Sequence, residues 1–61
     1  MKLKFEYRKN EHAVIVNGIY LIDIPTGTVF YDLDYTGRKH ENFPPYIFEI
    51  VDLLRQVGIV N

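Results

Sequence analysis

The chain has 61 residues, 48% of them hydrophobic, a formal net charge of −1, and neither cysteine nor serine. So short a chain makes one domain at most, 1–61, and it is too apolar to be a disordered tail. Disulfides and thiolate zinc sites are excluded, no global field attracts nucleic acid or acidic lipid, and no apolar run exceeds four residues, far short of a membrane span.

Chains below about 70 residues rarely build a sufficient core alone. Two isolated histidines, His12 and His40, are poor metal-ligand material. Self-association, or docking on a larger protein, is the staple that remains. The lack of cysteine and of an apolar N-terminal stretch gives a cytoplasmic expectation. No segment is low-complexity and no internal repeat is visible.

Lys2-Leu3-Lys4-Phe5-Glu6-Tyr7-Arg8 alternates polar and apolar strictly. A strand is expected, with Leu3, Phe5 and Tyr7 facing inward and the charges outward. Lys9-Asn10-Glu11 is a polar turn. A second strand is expected over His12 to Val16, rich in β-branched residues.

Asn17-Gly18 is the strongest short hairpin signal, since both residues accept positive φ in a type I′ turn. That reading pairs Val16 with Ile19 and Val14 with Leu21. The rival is a β-bulge bending one long strand at Gly18. Ile24-Pro25-Thr26-Gly27-Thr28 is a second turn: proline sets the first corner and Gly27 supplies a left-handed residue. A three-residue loop there places Asp23 opposite Val29, Ile22 opposite Phe30 and Tyr20 opposite Asp32. The following strand is expected to reach Tyr35.

Residues 36–44 form a polar connection. A residue before proline avoids the α region, so Phe43 and Pro44 are extended and Pro45 opens a helix. The helix runs to Val57, and Gly58 stops it as a left-handed cap with Ile59 reaching back to Leu54. Tyr46, Ile47, Ile50, Val51, Leu53, Leu54 and Val57 share one broad arc. Phe48 falls among the polar residues and has no evident place in the core.

The expected fold is a small α+β domain: an antiparallel β-meander of three to four strands with one C-terminal helix packed on a sheet face. One face carries Val14, Val16, Ile19, Leu21, Val29, Tyr31 and Leu33. The other carries Ala13, Ile15, Tyr20, Ile22, Ile24 and Phe30, ending at Asp32 and Asp34. One helix covers one face. The second is then an apolar patch of roughly several hundred Å², large for a soluble monomer, unless the sheet curls to bury both.

A non-enzymatic protein-interaction module follows, a regulator or inhibitor that dimerises or docks on a partner. Its contact residues are Tyr20, Ile22, Ile24, Phe30 and Phe48. The alternative is nucleic-acid binding through Lys2, Lys4, Arg8, Lys9, Arg38 and Lys39 with exposed aromatics. Catalysis is not expected: His40 has no nucleophile or orienting group in reach, and Asp32 and Asp34 read as solvated carboxylates. No cofactor or metal is expected.

Overall fold

A computed structural model describes residues 2–38 and 42–61. Four strands, β1 (Phe5–Arg8), β2 (Ala13–Val16), β3 (Tyr20–Asp23) and β4 (Val29–Tyr31), precede one helix, α1 (Pro45–Gln56). The strands form one antiparallel sheet in the order β1-β2-β3-β4. The fold is the small α+β meander with a C-terminal helix. Lys9–Glu11 make a short 3-10 turn, and His12 closes it at φ 51°, donating its N–H to the Lys9 carbonyl. β2 therefore begins at Ala13, one residue later than expected.

The Asn-Gly turn forms as its chemistry dictates. Asn17 and Gly18 sit at φ 56° and 67°, and the Ile19 N–H bonds to the Val16 carbonyl at 3.1 Å. The ladder does not resume at Ile19, however. Val16 pairs with Tyr20 and Val14 with Ile22, which leaves Ile19 as an extra residue. A turn and an inserted residue, rivals on paper, coexist. The next turn also differs by one position. Asp23 donates to the Thr28 carbonyl at 2.8 Å, so residues 24–27 form a four-residue loop, with Gly27 at φ 75°. Ile22 then pairs with Val29, Leu21 with Phe30 and Tyr20 with Tyr31. β4 stops at Tyr31 rather than Tyr35, because the Asp32 carbonyl accepts the Tyr35 N–H and turns the chain.

A one-residue change of register moves every side chain of a strand to the other face. On the helix side the rows are Phe5, Val16, Tyr20, Tyr31 and Tyr7, Val14, Ile22, Val29. The far side carries Glu6, Ile15, Leu21, Phe30 and Arg8, Ala13, Asp23. Val14, Val16, Tyr20, Ile22 and Val29 form the core with Ile47, Ile50, Val51 and Val60. Tyr20 and Ile22, expected on an exposed face, thus lie beneath the helix, and Ile22 is completely buried.

Arg8 answers what covers the far face. Its NH1 and NH2 donate to Asp32 Oδ1 and Oδ2 at 2.7 and 3.1 Å. Arg8 belongs to the row of Ala13 and Asp23, whereas Asp32 hydrogen-bonds to Ile19 beyond the opposite end of β3. In a flat sheet these corners would stand on the order of 20 Å apart. The sheet is therefore strongly coiled, and the ion pair ties its diagonal. Ala13 and Ile15 beneath are fully buried, and Asp32, expected in solvent, is 3% exposed.

Pro44 is extended, at φ −64° and ψ 145°, and Pro45 starts α1, as the two prolines require. Gly58 stops it at φ 83°. The Gly58 N–H reaches the Arg55 carbonyl and the Ile59 N–H the Leu54 carbonyl, the paired bonds of a Schellman stop. Val57 becomes the cap, so the helix is one residue shorter than expected. α1 is neither long nor apolar enough to cross a membrane.

Candidate functional site

β1 is where the molecule is least finished. It pairs with β2 on one side, and among the described residues no strand pairs with the other. Phe5 and Tyr7, expected with Leu3 to face inward, do stand on the helix side, but α1 does not reach over them. Phe5 is 53% exposed and Tyr7 62%. The helix covers the centre of the sheet, and an edge row overhangs it.

Between that row and the end of the helix lies an apolar groove of about 380 Å³, lined by Phe5, Tyr7, Val14, Leu54 and Ile59, with Glu6 at its margin. A second depression, of about 360 Å³, borders β1 on the far face, with Lys4, Glu6, Ile15 and Asn17 in its wall. Leu53 and Val57, expected in the core, are exposed. On the helix they lie to the side of Leu54 away from Val51 and Arg55, which approach the Gly27 turn. They therefore extend the groove's apolar surface on the β1 side.

The electrostatics of the edge are set by Arg8. Hydrogen bonds to Glu6 and Asp32 hold its guanidinium proton more firmly than in a free arginine. Glu6 Oε2 accepts from Arg8 Nε at 2.5 Å, and Glu11 stands 3.8 Å from NH1. Arg8 is thus neutralised by three carboxylates, while Lys2, Lys4 and Lys9 project into solvent. Among the described residues no three His, Cys, Asp or Glu side chains gather as a metal site.

Aromatic side chains collect at the other end of the core. Tyr20 packs against Tyr31, Phe43 and Tyr46 with ring centres 5.8–6.2 Å apart. Phe43 sits 4.9 Å from Tyr31 and meets Phe48 edge-on at 6.3 Å. Burial pushes the Tyr20 phenol above its ordinary pKa, and a hydrogen bond with Tyr46 adds to the shift. Phe48 thus meets Phe43 at the margin of the core and is half-exposed. The chain matches no known protein family, no characterised protein and no solved structure.

The expected contact residues scatter. Tyr20 and Ile22 are core, and Ile24 packs partly against the core, its N–H bonded to the His12 carbonyl. Phe30 is half-exposed on the far face, away from the groove, and Phe48 lies near Phe43. Of the basic residues, Lys2, Lys4, Lys9 and Arg38 are exposed and Arg8 is engaged; Lys39 and His40 lie outside the described residues. Sequence reasoning missed the groove because Phe5, Tyr7, Leu54 and Ile59 all read as core. One signal was present. The apolar arc of α1 is wider than the roughly 100° stripe a helix needs to cover one sheet face.

Proposed function

We propose that the protein is a non-enzymatic interaction module whose contact surface is β1 together with the groove beside it. The observation that carries this reading is the coincidence of an unpaired strand edge with an uncovered apolar row. Phe5 and Tyr7 offer large, rigid contact area at low rotamer cost, which suits a protein interface. Leu53, Leu54, Val57 and Ile59 widen the patch beyond the scattered single residues normal on a surface. A binding rather than catalytic role is supported by residue types: serine and cysteine are absent, and Asp32 is committed to Arg8.

The test combines light scattering with affinity purification from the native host, using Tyr7→Lys as the control. The wild-type chain should associate, with itself or with a host protein. Tyr7→Lys should abolish that association and leave far-UV dichroism unchanged, since Tyr7 is exposed. Absence of association of either kind would sink the reading.

A further inference from the structure

We infer that the occupant of the β1 edge is a second copy of this chain, paired through its own β1 in antiparallel register with Phe5 on the two-fold axis. This rests on reading β1 as the interaction surface. The direction of the ladder groups comes first. Asn17 donates its N–H to the Lys4 carbonyl at 2.7 Å, and the Lys4 N–H returns a bond to Asn17 Oδ1 at 2.9 Å. Both backbone groups of Lys4 therefore point toward β2. The direction alternates along a strand. Glu6 and Arg8 also point inward, while Leu3, Phe5 and Tyr7 point to the open side. The residues with free N–H and C=O groups are thus the ones that carry the apolar side chains.

Charge and the length of the strand decide the register. A two-fold axis normal to the sheet keeps each face continuous, so the axis must pass through a residue. Centring on Leu3 sets Lys2 against the partner's Lys4, and centring on Tyr7 sets Phe5 against the partner's Lys9 in the 3-10 turn and leaves the Leu3 groups unused. Centring on Lys4 sets the two Lys4 side chains against each other. Centring on Glu6 opposes the two Glu6 side chains and places Lys4 against the partner's Arg8. Like charges directly opposite destabilise a sheet. Centring on Phe5 sets Lys4 against the partner's Glu6, twice by symmetry. It also sets Leu3 against the partner's Tyr7 and Phe5 against the partner's Phe5, an aromatic pair at the axis. Every outward N–H and C=O of Leu3, Phe5 and Tyr7 is then used. At the ends Lys2 faces the partner's Arg8, but Arg8 is already turned to Asp32 and Glu6.

Such a contact closes. Pairing β1 of one copy with β4 of another would leave free edges at both ends and build an open chain. β1 with β1 yields one continuous sheet with both helices on the same face, and the two grooves meet across the axis.

The absence of native cysteine allows a direct test. The positions changed in Lys4→Cys and Glu6→Cys face each other as a non-hydrogen-bonded pair in this register, with Cα atoms about 4.5 Å apart, inside the disulfide range. Under mild oxidation of an equimolar mixture of the two variants, mass spectrometry should find the mixed disulfide, one chain of each, in several-fold excess over either homodisulfide. Excess of the Lys4→Cys or Glu6→Cys homodisulfide would overturn the register. A second variant, Phe5→Pro, removes no bond inside the chain, because the Phe5 N–H points outward, but it blocks the shared ladder. It should be monomeric with unchanged dichroism. If it remains dimeric, β1 pairing is wrong. A monomeric wild-type chain would overturn the second copy as occupant, while a host protein captured through Tyr7 would still uphold β1 as the contact surface.

Discussion

Gly18 and Gly27 both hold positive φ, yet their surroundings differ. A Cβ on Gly18 would meet nothing, whereas one on Gly27 would stand 3.0 Å from Val60 Cγ1 and closer still to the Arg55 guanidinium. Gly18→Ala should therefore cost only the left-handed penalty, about 1–2 kcal/mol in chemical denaturation. Gly27→Ala should cost more, because Val60 is buried and cannot step aside. Equal losses would mean that Val60 yields to the added methyl. Tyr20 supports a second prediction. Its folded-state pKa is raised above the value near 10 of an unfolded tyrosine. The native state then holds its proton longer, so the stabilisation is complete below about pH 10 and is lost as pH climbs through the folded pKa. Melting temperature should fall steeply on that alkaline side, and Tyr20→Phe should flatten the fall. Around Arg8, the two close carboxylates are unequal. Asp32 is buried and takes the two terminal guanidinium nitrogens, NH1 and NH2, whereas Glu6 is exposed and takes only Nε. Asp32→Ala should lower the melting temperature more than Glu6→Ala, since it removes both bonds of the tie across the sheet, whereas loss of Glu6 leaves that tie in place.

At the level of elements, local chemistry was legible and pairing was not. The two prolines and Gly58 set the ends of α1 to within a residue. Asn17-Gly18 announced its turn, and the period-two alternation announced β1. The sheet faces came out wrong through Ile19. A tight turn with a further unpaired residue cannot be told from a plain two-residue turn by propensity, because both use Asn-Gly. That single residue put Tyr20 and Ile22 in the core in place of Leu21. The candidate site suffered likewise. Phe5 and Tyr7 read as inward from their alternation, and they are on the inner face, but alternation carries no information about how far a helix reaches. The corrected faces change a mutational expectation. Ile22→Lys places a charge in the core and should unfold the chain, while Tyr7→Lys should leave the fold intact. Circular dichroism of the two variants separates these outcomes, and a folded Ile22→Lys protein would contradict the register.

At the scale of the molecule, the small core and the uncovered row point the same way. A chain this short buries only about 60% of its unfolded surface, and additional burial is available only outside it. Melting temperature should therefore rise with protein concentration, as for any fold linked to association. A constant melting point from micromolar to millimolar concentration would separate stability from assembly.

The diagonal tie between Arg8 and Asp32 has a consequence for how the protein comes apart. A terminal strand held by one neighbour is ordinarily the first piece to fray, and its amides exchange fastest. Here the strand is fastened by its side chain to the residue that follows the last strand. Loosening it requires the coiled sheet to flatten, which uncovers Ala13 and Ile15 in the same event. Strand loss and global opening become one transition. The inward amides of Glu6 and Arg8 should then exchange with deuterium as slowly as those of β3, and Asp32→Ala should release them alone.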